Sequence, residues 1–130
     1  NGGNGVPYNE LELYLMGMLD IQDLNNFDMF TDITALSINE TTFDFTAHQK
    51  TTFTSETLIE NLGQRIPTYA ESQKEFNLLA IVVTGNSLSD DDWLKVDETA
   101  EWFSKLEDDG TRLYNFWEAT NGLGSLLISY

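Results

Sequence analysis

Carboxylates are the side chains of this sequence best equipped for chemistry, and they fall into two groups. Asp20, Asp23, Asp28 and Asp32 share one stretch rich in Asp and Asn. A loop with oxygen donors at such intervals can wrap a calcium ion, which takes about six to eight of them. These four aspartates are candidate calcium ligands, although the Asp-x-Asp-x-Asp-Gly spacing of an EF-hand is missing. Asp90, Asp91 and Asp92 follow Ser89 and read as the first turn of a helix, where carboxylates meet the positive end of the macrodipole. His48 is the single histidine. A general base needs a nucleophile or carboxylate partner, and His48-Gln49 reads as a surface turn. No Gly-x-Ser-x-Gly elbow occurs. The absence of cysteine excludes disulfides and thiolate metal ligands. Gly122 and Gly124 do not open a phosphate-cradling helix. Among the three tryptophans, Trp93 and Trp117 sit on apolar helix faces and read as core. Trp102, beside Glu101 and off the main stripe, is the candidate exposed aromatic for binding.

The charge balance narrows the partners. Asp and Glu number 22 against six Lys and Arg, a net charge of −16. Nucleic-acid phosphates need clustered cations, which this chain does not offer, and anionic membrane surfaces are disfavoured for the same reason. Three readings of the acidity stand side by side: a solvated surface adapted to salt, calcium binding, and a basic partner. The longest apolar run, Leu78-Leu-Ala-Ile-Val-Val83, is of strand length and far short of the ~20 residues that span a bilayer.

The elements that position these residues follow from periodicity. Residues 1–7, opening Asn1-Gly-Gly-Asn-Gly5 rather than with Met, read as a linker or the cut end of a longer polypeptide, and residues 8–130 as a single domain. Asn9 is a good N-cap and Glu12 completes the capping-box spacing. Leu11, Tyr14, Leu15 and Met18 recur on one helical face, with Gly17 inside the pattern. Met16 and Met18 read as gap-filling core, the alternative being the floor of a metal site. Residues 20–30 read as a loop with at most a short helical turn, Phe27, Met29 and Phe30 tucked onto the core. Ile33–Ile38 is a candidate strand. Thr41–Ala47 alternates clearly, and Thr51–Thr54 is its expected hairpin partner after a turn at His48-Gln49.

Ser55 caps a short helix carrying Leu58, Ile59 and Leu62, stopped by Gly63. Residues 70–75 suggest a helical turn, and Phe76–Thr84 a buried central strand. Ser89 opens the longest helix, with Trp93, Val96, Ala100 and Phe103 inward and Asp109-Gly110 as its end. A further helix turns Leu113, Phe116 and Trp117 inward and stops at Gly122. Residues 126–130 are an edge strand or a tail. The expected fold class is α+β, with about four helices packed on a small, mostly antiparallel sheet.

The segment Tyr8-x-x-Leu11-Glu12-Leu13-Tyr14-Leu15-Met16-Gly17 resembles a signature of large zincin-like zinc metallopeptidases secreted by bacteria. Two later segments resemble the same proteins: Thr57–Pro67 running through Ser72–Phe76, and Asn115-Phe-Trp-Glu-Ala-Thr-Asn-Gly122. The three lie in the expected order over nearly the whole chain. The sequence departs from the pattern at Gly122-Leu-Gly124, where an Arg is expected, and in the proline-poor loop after the first helix. In such proteins the signature lies downstream of a His-Glu-x-x-His helix, a motif this chain lacks.

The resemblance implies a secreted or extracellular, non-catalytic C-terminal part of such an enzyme, completing its catalytic domain and substrate cleft. It places Glu12 on a helix of the kind that supplies a third zinc ligand; the residues themselves read Glu12 as a capping-box carboxylate. No cofactor is expected within the chain itself, zinc being a matter for the parent protein, and its first partner is the rest of its own polypeptide. The competing reading is an independent acidic extracellular module, calcium-stabilised, that holds a peptide or glycan. A purely structural domain is the third.

Overall fold

A computed structural model describes residues 5–38, 42–108, 110 and 113–128. The linker reading of residues 1–4, the start of the strand at Thr41, the Asp109 stop and the tail at residues 129–130 lie outside the described residues. The fold class is α+β. In order, the elements are α1 (Glu10–Met16), β1 (Phe27–Ile38), β2 (Phe43–Phe53), α2 (Ser55–Leu62), β3 (Glu75–Leu78), α3 (Asp90–Ser104), α4 (Phe116–Ala119) and β4 (Ser125–Ile128), with 3-10 turns at Ile21–Asp23 and Tyr69–Glu71. β1 and β2 pair antiparallel, and β3 and β4 pair parallel. The chain divides into two compact units, Ile21–Ile66 and the combination of Asn1–Asp20 with Pro67–Tyr130.

Helix starts in both units are set by local capping. Asn9 with Glu12, Thr54 with Thr57, Ser89 with Asp92, and Asn115 with Glu118 each form a reciprocal capping box, which satisfies amide groups that a helix start otherwise leaves without acceptors. Part of the chain's acidity is thus consumed in fixing where helices begin.

α1 is shorter than its apolar pattern. Gly17 adopts φ 82°, and the Met18 amide donates back to the Leu13 carbonyl at 2.8 Å, the geometry of a Schellman stop that only glycine adopts without strain. Gly17 therefore ends the helix rather than sitting inside it. The turn carries Met18 into the core and leaves Leu15 exposed, while Leu13 and Tyr14 are buried.

The larger unit closes around a compact nucleus. Met18 is 1% exposed, and Asn115 and Thr120 are fully buried. Gly124 makes this possible, since a Cβ there would lie 2.8 Å from Met18 Cε and 2.9 Å from a Phe116 ring carbon. Phe116 meets Phe76 edge to face at 5.9 Å. The Thr120 hydroxyl donates to the Phe116 carbonyl at 2.8 Å and accepts from the Gly124 amide at 3.0 Å. Buried polar atoms are thereby paired inside the nucleus, as burial demands.

The unit Ile21–Ile66 is a two-stranded ribbon followed by α2. The short helical turn expected within the loop at residues 20–30 is the 3-10 turn Ile21–Asp23, but from Phe27 the segment is strand β1 rather than loop. The expected turn at His48-Gln49 does not form: β2 runs straight through it, and Gln49 pairs with Thr31. Neither residue carries turn chemistry, and the alternation that starts at Phe43 stays in phase to Phe53. The segment Thr51–Phe53 is the end of β2 and pairs with Phe27–Met29. Met29 and Phe30 are exposed rather than tucked in. Phe30 sits opposite Lys50, five residues from Phe45, roughly 17 Å along a straight strand. Yet the two rings meet edge to face at 5.1 Å, so the ribbon curls. The curl coincides with Asp32, at φ 54°, and a register shift between Ile33 and Ala35.

Three further expectations change. The buried strand over Phe76–Thr84 is realised only to Leu78, where pairing with Ile128 ends. Residues 79–84 have no ladder partner among the described residues, and Val83 is 91% exposed. α3 ends at Ser104, with an extended Lys105, well before Gly110. Trp93 is half exposed and Leu113 is exposed, so neither is core. Among the described residues, no helix is long and apolar enough to cross a membrane.

Candidate functional site

The most promising site is a cleft of about 640 Å³ within the larger unit. The lead-in to α1 contributes Pro7 and Tyr8, and the first turn of α1 contributes Glu12. Phe103 comes from the last turn of α3, Tyr114 and Phe116 from the start of α4, and Leu126 from β4. The Tyr8 amide donates to the Ala119 carbonyl at 2.8 Å, which fastens the lead-in segment onto α4 and holds the two sides of the cleft in register. Its size and its mixture of apolar and polar lining residues make this open cleft a candidate ligand site.

Among the described residues, Glu12 is the one charged side chain lining this cleft. Its Oε2 accepts from the Asn9 amide at 2.8 Å, and its own amide donates to Asn9 Oδ1 at 2.9 Å. The cap uses one carboxylate oxygen and holds the side chain in place at the exposed rim. The opposite wall is stiffened by a second, buried box. Asn115 Oδ1 accepts from the Glu118 amide at 2.9 Å, Glu118 Oε2 accepts from the Asn115 amide at 2.7 Å, and Asn115 Nδ2 donates to the Glu107 carbonyl at 3.0 Å. Among the described residues, Glu118 Oε1 is buried without a hydrogen-bond partner. The residues of this wall were readable only as the local spacing Asn-x-x-Glu; their burial had no sequence signal.

The other candidates do not converge on one place. Asp23 ends a 3-10 turn, Asp20 precedes it, and Asp28 and Asp32 lie on β1 rather than in a loop. Asp28 is engaged across the ribbon, 2.8 Å from Lys50 Nζ and 2.6 Å from the Thr52 hydroxyl. The Lys50 ammonium, and then the Thr52 hydroxyl, hold its carboxyl below the ordinary value. Asp92 is held low mainly by the Ser89 hydroxyl, and Glu71 by the Thr68 amide; both are capping effects. His48 lies in mid-strand and is exposed. Trp102 is half-buried, its ring against Phe103 at 4.7 Å. Among the described residues, no group of three or more His, Cys, Asp or Glu side chains comes together to hold a metal.

No known protein family, curated protein or solved structure matches this chain.

Proposed function

We propose that this chain is a non-catalytic part of a secreted zincin-like metallopeptidase, and that its cleft beside α1 holds a stretch of the peptide substrate. The observation that carries this is the place of the Tyr8–Gly17 segment: the stretch that bears the resemblance also supplies Tyr8 and Glu12 to a cleft with aromatic residues in its lining. Tyr114 and Phe116 face it from the other side, and aromatic side chains offer a peptide large apolar contact at low entropic cost. The capped Glu12 and the buried Asn115 keep both walls in position before a ligand arrives, which favours binding over adaptation.

Zinc, in this proposal, takes its ligands elsewhere in the polypeptide. Catalytic zinc needs several protein ligands. Glu12 serves here as a helix cap, and a single carboxylate does not make a zinc site.

Titration of the 130-residue chain with a digest of an unfolded protein, followed by amide chemical shifts, tests the proposal. Shifts should gather at Tyr8, Tyr114 and Phe116, should disappear in Tyr8→Ala with Tyr114→Ala, and should leave the peptides uncut. Stoichiometric zinc or turnover by this chain alone would overturn it. Shifts at the same residues caused by oligosaccharides, with peptides silent, would instead make it a glycan-binding module.

A further inference from the structure

Resting on that cleft, we propose that it selects a cationic side chain, lysine or arginine, from the peptide it holds. Three observations point there together. Among the described residues, Glu12 is the only charged group lining the cleft, and capping fixes it at the rim through one oxygen, leaving the other for a ligand. The remaining walls mix aliphatic and amide side chains with the aromatic Tyr8, Phe103, Tyr114 and Phe116, and ring faces attract ammonium and guanidinium groups. The chain as a whole carries −16, so a basic segment is steered toward it and an acidic one repelled.

The alternatives fit less well. An apolar occupant reaching the rim would strip water from the free Glu12 oxygen and return no hydrogen bond, which is unfavourable. An acidic occupant would set carboxylate against carboxylate. A lysine or arginine lays its aliphatic stem along the aromatic wall and brings its charged head to Glu12, the way long cationic side chains bury their stems. Because Glu12 is exposed, the ion pair contributes modestly and the rings share the work. Together they amount to about a tenfold preference over an uncharged isostere.

Three capped pentapeptides, alanine at every position except a central lysine, norleucine or glutamate, test this by calorimetry or shift titration. The lysine peptide is expected to bind about tenfold tighter than the norleucine peptide, and the glutamate peptide weakest. Glu12→Gln should narrow the gap between the lysine and norleucine peptides severalfold, leaving only the part of the preference that the rings supply. Glutamine also serves at the third position of a capping box, so α1 keeps its start. Glu98→Gln, on α3 outside the cleft, removes the same charge and should keep the preference. Equal affinity for lysine and norleucine would sink the cationic selection while sparing the cleft. A loss in Glu98→Gln as large as in Glu12→Gln would assign the preference to overall charge and sink it too. Failure of all three peptides would overturn both the selection and the cleft's role.

Discussion

The nucleus around Met18 and the ribbon β1–β2 use apolar residues in opposite ways. In the first, a methionine, a phenylalanine and a glycine interlock, and the polar atoms of Asn115 and Thr120 are buried and paired. In the second, the alternation is at least as regular, yet Ile33, Leu36, Ile38 and Phe43 are all more than half exposed. The ribbon is held by its ladder, by the Phe27–Phe53 stack at 5.4 Å, and by the Asp28–Lys50 pair. Alternation brings apolar side chains to one face; it does not supply the surface that covers them. An isolated two-stranded ribbon is marginal for that reason. The cleft belongs to the unit with the closed nucleus, where walls are rigid enough to hold a fixed geometry.

The contrast can be broken by mutation. All three tryptophans lie after Pro67, so their fluorescence during urea unfolding reports on the larger unit. Met18→Ala, at 1% exposure, should cost about 2–5 kcal/mol through lost burial and a residual cavity. Gly124→Ala should cost about 1–3 kcal/mol, because its methyl would overlap Met18 and Phe116 in a packed space. Asn9→Ala removes the cap of α1 and should cost about 1 kcal/mol, with weaker peptide binding as Glu12 loses its anchor. Phe43→Thr on the ribbon, where Phe43 is 69% exposed, should stay within about 0.5 kcal/mol by circular dichroism. A large loss there would mean that the ribbon face is covered in solution, and would erase the contrast.

A pH titration sharpens the same comparison. The Asp28 carboxyl is held below its ordinary value of 3.8, first by Lys50 and then by Thr52. Its contribution to the ribbon is therefore complete above that ordinary value and is lost as pH falls through the lower folded value. Strand circular dichroism of Asp28→Asn should lack this acid-side change, while the wild type keeps it. An identical acid limb in both would remove Asp28 from the account.

Much of the fold was legible. The caps at Asn9 and Ser89, the stop at Gly63 and the α+β class follow from patterns within a few residues, whereas the cap expected at Ser55 is Thr54, one residue earlier. The site was legible in part. Tyr8 and Glu12 stand out by their segment, but Tyr114, Phe116 and Phe103 come from elements far along the chain and carry no shared signal. Misreadings gather where a local pattern needed a distant partner. Residues 79–84 look like a central strand, yet their apolar character does not create a neighbouring strand. Trp93 looks like core, yet its helix face needs a surface to meet. Gly17 looked like an interior helix residue because its apolar neighbours keep the period across the break.

The amino-acid sequence by itself determined the starts of α1 and α3, because a capping box closes between residues three apart. It determined the acidity too. Only the tertiary structure decided which apolar faces are covered, how far each strand extends, and that Glu12 shares a cleft with aromatics from α3 and α4. Those outcomes depend on surfaces brought together from distant parts of the chain, and burial is a property of the pair that meets, not of either residue alone.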